Sequence, residues 1–437
     1  MVGIRRSFCF FLSSLILVSA AFCSTALHIK TSAYQSFKEQ MDSFPESYRP
    51  YLTALHNEHP NWTFYADNIN MSFDDAVSLE LTRKVIGQKN SRSWFSMGLG
   101  AYDYQTDNWV PQDTDYYLAS RELIMYYMDP RNFLNSNDIY TFMLQGYDPS
   151  TQNTKGLISM VGGSFLNTEE YIDILMEAGR VANVNPYVLA AKIKQEQGSG
   201  SSRLISGNYP GYEGYYNYFN VQAYGNSKDE KYRNGLNYAK AQGWNSRRAS
   251  IIGGAKFYAK KYISVGQNTF YYMDYNVENP DKIFHQYAAA VYDAVNKAEN
   301  LKSIYSSDKL MSLSFRIPVY RNMGDIAALP EKSDKLNNYY FSGIEVEGLT
   351  GSFNRFNYSY NLEISSDTTI KVKVPSGASY ISAGSFDLSA GISEIVLTVK
   401  GQTGYKNDYK ICVKSNANCR INIDVVNNAD GVPSRVM

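Results

Sequence analysis

The sequence has 437 residues, more than one hydrophobic core usually fills, so we expect two or more domains. Hydrophobic residues make up 44% of the chain, which excludes a disordered protein. The 42 basic and 42 acidic residues balance, so the chain as a whole has no electrostatic attraction for nucleic acid. Tyrosine is abundant, with 38 residues. Because tyrosine has an apolar face and a polar tip, we assign most of them to the core and the rest to stacking on flat ligands.

The N-terminus has the pattern of an export signal. Arg5 and Arg6 precede an uncharged apolar run at residues 8–22, and small residues follow at Ser24-Thr25-Ala26. This run is shorter than the ~20 residues that span a bilayer comfortably. We therefore predict a cleaved signal peptide at residues 1–26, with a retained N-terminal membrane anchor as the alternative.

No cofactor or metal is indicated by the sequence. Neither HExxH nor another metal-ligand spacing occurs around the four histidines, which are His28, His56, His59 and His285. We therefore predict no metal site.

Residues 27–160 form the first of three regions after the signal, and we predict that this region is mostly helical and without strands. The stretch at 116–128 repeats apolar residues at helical spacing and stops at Asp129-Pro130. No catalytic combination of residues is evident here, so the region is expected to be a structural lobe or the wall of a groove.

Residues 161–305 are also predicted to be helical, with a tyrosine- and glycine-rich interruption at 198–228. Capping residues open the expected helices at Thr168, at Asn185-Pro186 and at Ser246. Gly253-Gly254 is expected to allow a close helix contact. A further helix is predicted to begin at Asn279-Pro280, with one apolar face made by Ile283, Phe284, Tyr287, Ala288, Val291 and Val295.

We predict a linker at 306–338, after which the apolar pattern changes to a period of two. Alternating segments at 370–374, 394–400, 409–413 and 420–426 are separated by Gly, Ser and Asn. Residues 339–437 are therefore expected to form a small antiparallel β-sandwich. The pattern resembles the cadherin-like β-sandwich repeats of bacterial surface proteins.

Cys412 and Cys419 are the only cysteines after the signal. If their two strands form a hairpin closed at Ser415-Asn416, the cysteines face each other at a distance that a disulfide can bridge. Export would place them where oxidation occurs. The alternative is two unrelated thiols in a β-domain.

The stretch NVNPYVLAAKIKQEQGSGSS (183–202) is the most informative part of the sequence. A helix with small apolar residues ends in Glu196, directly before glycine and serine. The negative end of the helix dipole disfavours an ionised carboxylate, and partial burial would add to this effect. Glu196 is therefore a candidate general acid. The alternative for a glutamate at this place is a solvated helix end.

A ring-rich stretch follows, GYEGYYNYFNVQAYG (211–225). Rings stack on pyranoses and amides bond acetamido groups, so a sugar-binding groove would need this composition. An ordinary tyrosine-packed hairpin is the alternative. The predicted substrate-binding residues are Tyr212, Tyr215, Tyr216, Asn217, Tyr218, Phe219 and Asn220.

Together these segments resemble the glucosaminidase family of bacterial autolysins, glycoside hydrolase family 73. The resemblance runs from Thr168 to Ala298, and it includes the stretches NGLNYAKAQGW (234–244), IIGGAKFYAKKYI (251–263) and HQYAAAV (285–291). It implies a mainly α, lysozyme-like catalytic domain at 161–305, within a multidomain protein that also has the helical N-terminal region and the small all-β sandwich predicted from the residue pattern. By position, it makes Glu196 the general acid and Tyr287 a tyrosine of the cleft, and it matches 217–220 to the groove motif.

The sequence does not single out one residue as the second carboxylate of such an enzyme. The lobe after the acid helix offers Glu213, Asp229 and Glu230, and we prefer Glu213 because it lies within the aromatic cluster. Alternatively, the acetamido oxygen of the substrate attacks the anomeric carbon and no second carboxylate is needed.

The resemblance implies a secreted endo-β-N-acetylglucosaminidase that binds the glycan strands of peptidoglycan and associates with the cell wall or cell surface. A muramidase or lytic transglycosylase of lysozyme-like fold is the first alternative. A surface protein that binds glycan without cleaving it is the second. The sequence does not indicate an oligomeric state.

Overall fold

The computed structural model describes residues 36–113, 115–277, 285–305, 312–334 and 336–427. The predicted signal peptide at residues 1–26 lies outside these ranges. None of the helices within them combines the length and the apolar character needed to cross a membrane.

Helices dominate the chain up to residue 305. In order they are α1 (Phe37–Asp42), α2 (Arg49–Glu58), α3 (Phe73–Glu80), α4 (Arg121–Met128), α5 (Thr154–Val161), α6 (Glu169–Ala182), α7 (Pro186–Gln197), α8 (Lys228–Ala241), α9 (Arg247–Lys261), α10 (Phe270–Asp274) and α11 (Asp293–Tyr305).

The described strands before residue 314 have two or three residues, except for the first, which has ten. In chain order the strands are β1 (Thr63–Ser72), β2 (Val85–Gly87), β3 (Tyr102–Asp103), β4 (Asn108–Trp109), β5 (Tyr116–Leu118), β6 (Ser314–Arg321), β7 (Gly343–Glu345), β8 (Ser359–Ile364), β9 (Thr368–Val374), β10 (Ser379–Tyr380), β11 (Ser385–Leu388), β12 (Gly391–Lys400), β13 (Lys406–Ser415) and β14 (Cys419–Asn427).

The capping signals at 168, 185 and 246 are confirmed. The side chain of Thr168 accepts a hydrogen bond from the Tyr171 amide at the start of α6. Asn185 accepts from the Tyr187 amide at 2.8 Å and opens α7. Ser246 opens α9 in the same way, since its hydroxyl accepts from the Ala249 amide at 3.0 Å. In each case a polar side chain satisfies an amide that the helix itself leaves free.

The prediction of a strand-free N-terminal region is wrong, and so is the linker prediction for the part of 306–338 that forms β6. β1 and β6 pair in parallel, with Phe64 beside Phe315 and Ala66 beside Ile317. Seven of the eight β6 residues are buried. A buried strand with its ladder satisfied is part of a core, and it cannot act as a flexible connection.

One hydrophobic cluster extends from the N-terminal region through the helical region to β6. Its buried members include Tyr48 of the N-terminal region, Leu189 of α7 and Ile317 of β6. The proposed boundary at residue 160 therefore does not separate two cores. The described parts of 161–305 contain α6 to α11 and no β-strand.

The helix predicted from Asn279-Pro280 is not present where the structure describes this segment. Its first residues, including Ile283 and Phe284, lie outside the described ranges. Residues 285–292 are not helical, and α11 begins only at Asp293. The backbone of this segment instead pairs with β2, because the Val85 amide donates to the Ala289 carbonyl and the Val291 amide donates to the Val85 carbonyl, both at 3.0 Å.

The C-terminal region contains two four-stranded sheets, ordered β10-β12-β13-β8 and β11-β14-β9-β7. The four alternating segments predicted from the sequence all lie in strands, and inward residues of both sheets share one hydrophobic cluster. The sheets are mixed, which corrects the antiparallel prediction, because β13 pairs with β8 and β14 with β9 in parallel.

Of the two alternatives for the cysteines, the structure supports two unrelated thiols, and the pairing as a disulfide is wrong. β13 and β14 belong to different sheets and form no hairpin. Cys412 is exposed, Cys419 is buried, and both are free thiols. The polar residues between the strands carry the chain from one sheet to the other, and the facing register that the prediction required does not form.

Candidate active site

Glu196 lies in the last turn of α7, on the side that is open to solvent. The opposite side of the helix is anchored in the core by Leu189 and Ile193, both of which are fully buried. The Glu196 side chain is 28% exposed, and its Oε1 lies 3.6 Å from Nζ of Lys192, one turn earlier. α7 ends at Gly198, where φ is +54°, a conformation that favours glycine. The helix thus presents a partly exposed carboxyl on a rigid support.

Asn220 connects the loop after α7 to this carboxyl. Its Nδ2 donates to Glu196 Oε2 at 2.9 Å and to the Glu196 carbonyl at 3.2 Å. Its Oδ1 accepts from Nε2 of the buried Gln197 at 2.7 Å. The same Nε2 group also donates to the Tyr218 carbonyl at 2.9 Å. Because both ends of the Asn220 amide are engaged, the orientation of the Glu196 carboxyl is fixed.

Three of the predicted substrate-binding residues are corrected, because their side chains are buried. Asn217 is 0%, Tyr218 0% and Phe219 7% exposed. The Asn217 Nδ2 group donates to the carbonyls of Val221 and Gly235 at 2.8 and 2.9 Å. These side chains build the wall behind the site and hold the loop that carries Asn220.

Phe219 packs on α9. A Cβ at Gly254 would lie 2.1 Å from the Phe219 ring, and one at Gly253 would lie 2.0 Å from the indole of Trp244. The two glycines were expected to allow a close helix contact. In the structure their missing side chains make room for aromatic rings.

Tyr212, Tyr215 and Tyr216 are partly exposed. The Tyr212 hydroxyl donates to Oδ1 of Asn237 at 2.7 Å. Nζ of Lys240 lies 5.9 and 5.8 Å from the ring centres of Tyr212 and Tyr215. The rings of Tyr212 and Tyr215 are placed by α8, whereas the Tyr216 ring lies beside that of Tyr218. Part of each surface is open to a ligand.

Glu213 is exposed and is held within its own turn, where its Oε1 accepts from the Gly211 amide at 3.0 Å. Hydrogen bonds from the backbone amides of Glu213 and Gly211 lower the pKa of this carboxyl below its ordinary value. Its described contacts do not include Glu196.

The other two candidate carboxylates lie at the N-terminal end of α8. Asp229 forms an ion pair with Arg233 at 3.1 Å and accepts a hydrogen bond from the Tyr209 hydroxyl. Glu230 accepts from the Asn226 amide at 2.8 Å. Negative charge in the first turn of a helix is stabilising, so these contacts give both residues a structural role.

Tyr287 presents its ring to solvent and is 54% exposed. Its amide donates to the Met273 carbonyl at 2.7 Å. Its ring centre lies 5.5 Å from that of Tyr262 and 3.6 Å from Nζ of Lys297. The described contacts of Tyr287 and those of Glu196 share no residue.

Sequence analysis missed two residues near the acid, Lys192 and Gln197. Lys192 could have been found from its spacing, because residues i and i+4 face each other on a helix. The role of Gln197 has no sequence signal, since it depends on a loop more than twenty residues away.

The arrangement around Glu196 suits proton transfer, because an oriented, partly exposed carboxyl can exchange a proton with a bound molecule. Within the ranges that the structure describes, no three His, Cys, Asp or Glu side chains are grouped so that they could hold a metal ion.

Comparisons with known proteins find relatives for part of the chain. No family model matches it. It is 30% identical over 203 residues to a bifunctional autolysin of Staphylococcus epidermidis. The aligned residues cover 44% of this chain and 15% of that protein. A bifunctional autolysin of Staphylococcus aureus is 33% identical over 153 residues, or 33% of this chain and 12% of that protein.

Among solved structures, S. aureus glucosaminidase B is 24% identical and matches with a TM-score of 0.46, covering 60% of this chain and 95% of that one. The curated relatives are much longer than the matched part, and the chain spans 15% of the length of the S. epidermidis protein. By sequence, this chain is therefore a homologue of the staphylococcal bifunctional autolysins over part of its length.

Proposed function

We propose that the chain is a peptidoglycan hydrolase, an endo-β-N-acetylglucosaminidase that cleaves the β-1,4 bond after N-acetylglucosamine. The similarity to bifunctional autolysins supports a wall-lytic enzyme. The observation that carries the proposal is Glu196, a partly exposed carboxyl fixed at a helix end by the Asn220 amide at 2.9 Å. A protein that only bound glycan would have no chemical need for an oriented acid.

Glu196 acts as the proton donor to the leaving glycosidic oxygen. Asn220 donates to Oε2, so that oxygen is the acceptor in the free enzyme. Oε1 forms an ion pair with Nζ of Lys192 at 3.6 Å but accepts no hydrogen bond from the described residues, and we assign the transferred proton to this oxygen. The bond to Asn220 thereby selects which oxygen faces the substrate.

The positive charge that develops at the anomeric carbon needs a partner on the other side of the sugar ring. Glu213 is our choice of carboxylate, and hydrogen bonds from the backbone amides of Glu213 and Gly211 favour its ionised form by lowering its pKa. The acetamido oxygen of the substrate is the alternative nucleophile. Tyr287 and the open faces of Tyr212, Tyr215 and Tyr216 are proposed to contact the glycan.

The proposed function also includes roles for the separate regions of the chain and a location for the protein. Residues 161–305 would be the lysozyme-like catalytic part, and the region with two sheets would be cadherin-like. The protein would be exported by the signal at 1–26 and would remain at the cell wall, where peptidoglycan strands are its partner.

Mass spectrometry of fragments released from purified walls tests the bond specificity. We expect N-acetylglucosamine at each new reducing end. Muramic acid at that end would instead identify a muramidase, and an anhydro-muramic end would identify a lytic transglycosylase. Binding to walls without any release would leave only the glycan-binding alternative.

The substitution Glu196→Gln tests the proton donor. Because an amide cannot give up a proton to the leaving oxygen, we expect turnover to fall by about 10²–10⁴-fold while the fold and glycan binding persist. Glu347→Gln, an exposed glutamate in the C-terminal region, is the matched control and should retain full activity. Near-normal turnover in Glu196→Gln would remove the central assignment.

The substitution Glu213→Gln tests the second carboxylate. If Glu213 stabilises the developing charge, turnover should fall strongly with little change in melting temperature. Asp229→Asn should instead lower the melting temperature, because it removes the charge that pairs with Arg233 and weakens the acceptor of the Tyr209 hydroxyl. If both substitutions leave turnover intact, the acetamido route is supported.

A further inference from the structure

A group of charged side chains lies beneath the segment that carries Tyr287. Three of them are almost completely buried, since Glu80 and Lys84 are 0% and Asp274 is 1% exposed. Two more lie at the edge of the group on α11, where the Lys297 side chain is 20% and the Asp293 side chain 28% exposed. Placing so many charges inside a protein is costly, and apolar residues of similar size would pack there more cheaply.

Lys297 connects this group to the ring of Tyr287. Its Nζ lies 3.3 Å from Asp274 Oδ1 and also forms an ion pair with Asp293, one turn earlier on α11. The same Nζ lies 3.6 Å from the centre of the Tyr287 ring. Two carboxylates thus hold a cation over the face of an aromatic ring, an arrangement in which the ring quadrupole attracts the cation.

Lys84 and Glu80 hold the backbone around the same tyrosine. Lys84 donates to the Asp274 carbonyl and, at 3.0 Å, to the Ala288 carbonyl next to Tyr287. Glu80 accepts from Nε2 of Gln286, on the other side of Tyr287, at 2.6 Å. Both neighbours of Tyr287 are therefore tied to the end of α3 and the turn that follows it.

We propose that Lys297 is a positioning residue that fixes the ring of Tyr287 for its contact with the glycan, and that Asp274 and Asp293 hold Lys297 for this purpose. The inference rests on the proposed function, in which Tyr287 lines the cleft. Tyr287 is 54% exposed, and the described contacts of its ring are with Tyr262 at 5.5 Å and with Nζ of Lys297 at 3.6 Å, so few groups restrain its orientation. The charged group supplies the contact with Lys297 from below and leaves the outer edge of the ring open.

The kinetic test compares Lys297→Met with Lys297→Arg on soluble peptidoglycan fragments. We expect Lys297→Met to lower kcat by up to about 10²-fold, the scale for a misplaced group, with little change in KM. Lys297→Arg keeps a cation over the ring and should recover most of kcat. Lys256→Met, an exposed lysine of α9, is the matched control and should behave as the wild type. A wild-type kcat in Lys297→Met overturns the proposal.

A double-mutant cycle shows whether Lys297 acts through Tyr287. Tyr287→Ala removes the ring, so adding Lys297→Met to it should change kcat by less than about twofold. Additive losses in the double variant would show that Lys297 acts elsewhere and would overturn the proposal. If Lys297→Met does not fold, Asp293→Asn serves instead, because Asp274 still pairs with the lysine in that variant. It should give a smaller loss of kcat that is likewise absent in the Tyr287→Ala background.

Hydrogen exchange of the ligand-free protein separates this proposal from the proposed function. Amides of 285–292 should exchange about tenfold faster in Lys297→Met than in the wild type, while amides of α6 keep their rates. If the wild type cleaves no glycan but this change in exchange occurs, the proposed function fails and the anchoring of the segment stands. Unchanged exchange together with unchanged kcat removes the positioning role.

Discussion

At the scale of single residues, Asn220 combines an unusual backbone conformation with two side-chain contacts. Its φ is +50°, in the left-handed region that asparagine tolerates better than most residues. This turn directs the side chain between Glu196 and Gln197, where Nδ2 and Oδ1 are both used. The conformation and the contacts therefore depend on the same residue type.

Substituting Asn220 by alanine and by glycine separates these two contributions. Both variants lose the amide that orients Glu196, so we expect similar losses of kcat, about 10-fold to 10²-fold. Only Asn220→Ala must hold a Cβ at positive φ, which should cost about 1–2 kcal/mol in the free energy of unfolding relative to Asn220→Gly. Kinetics and denaturant titration of the two variants measure this, and full activity in Asn220→Gly would contradict the orienting role.

Asp274 gives a prediction for the pH dependence of stability. Burial raises the pKa of this carboxyl from 3.8 to about 7 against the opposing charges of Lys297 and Lys84. A folded-state pKa above the unfolded value means that the contribution of Asp274 to stability is fully present below pH 4. It is then lost as the pH rises to about 7, because the unfolded chain releases the proton first.

Asp274→Asn should therefore gain stability relative to the wild type as the pH rises. Between pH 4.5 and 7.5 we expect the difference in the free energy of unfolding to move by about 3 kcal/mol in favour of the variant, at 1.36 kcal/mol per pKa unit. Denaturant titrations at several pH values give this difference. A difference that is constant across the range would mean that Asp274 titrates at its ordinary pKa.

The sequence was informative about Glu196 and less so about the residues around it. A glutamate before glycine at the end of an apolar helix can be located from local signals alone, and α7 ends as predicted. The sequence also located the aromatic stretch at 211–225, but it did not indicate which of its side chains are buried and which are exposed. Asn217 and Phe219 are buried because Gly235 and Gly254 leave room for them, and those contacts depend on the packing of α8 and α9.

At the scale of elements, helices with capping residues were predictable and the longest strand of the N-terminal region was not. β1 has only two buried residues among ten, so its sequence lacks the apolar alternation that indicates a strand. Its partner β6 contains Pro318, which usually argues against a paired strand. β1 and β6 pair in parallel although about 250 residues separate them in the sequence, and no local sequence pattern predicts such a contact.

α9 provides a test of aromatic packing against a helix. Gly254→Ala should gain helix propensity of about 1 kcal/mol, yet its Cβ would lie 2.1 Å from the Phe219 ring. We expect a net loss of about 1–3 kcal/mol in the free energy of unfolding, as for overpacked cores. Adding Phe219→Leu should recover part of the loss, since the shorter side chain makes room. Independent, additive effects in the double-mutant cycle would contradict this packing.

At the scale of the whole molecule, the C-terminal region contains two sheets, whereas the predicted regions before it share one core. The change from helical to alternating pattern is local, and it marks the two sheets well. The single core that joins the N-terminal region, the helical region and β6 depends on contacts between distant segments. Tyr48 shows this, because its hydroxyl donates to the Pro318 carbonyl at 3.1 Å.

The C-terminal region also contacts the rest of the protein through an aromatic cluster. Tyr339 and Tyr340 cover Met97 and Tyr102, all four of which are nearly buried. Arg355 lies over the ring of Tyr104 at 3.6 Å from its centre. This surface is on the N-terminal region, and none of its residues belongs to the candidate site.

A chain that ends at Asp334 should therefore keep its chemistry and lose stability. β6 remains in place, so Glu196, Asn220 and their supporting core are unchanged, and we expect kcat on soluble glycan fragments within about twofold of the full chain, as for distant sites. Removing Tyr339 and Tyr340 exposes apolar surface at about 25 cal/mol per Å², which should lower the melting temperature. Tyr340→Ala in the full chain is the matched control and should reproduce part of that decrease. Loss of all activity in a truncated chain that circular dichroism shows to be folded would mean that the two sheets contribute to the site.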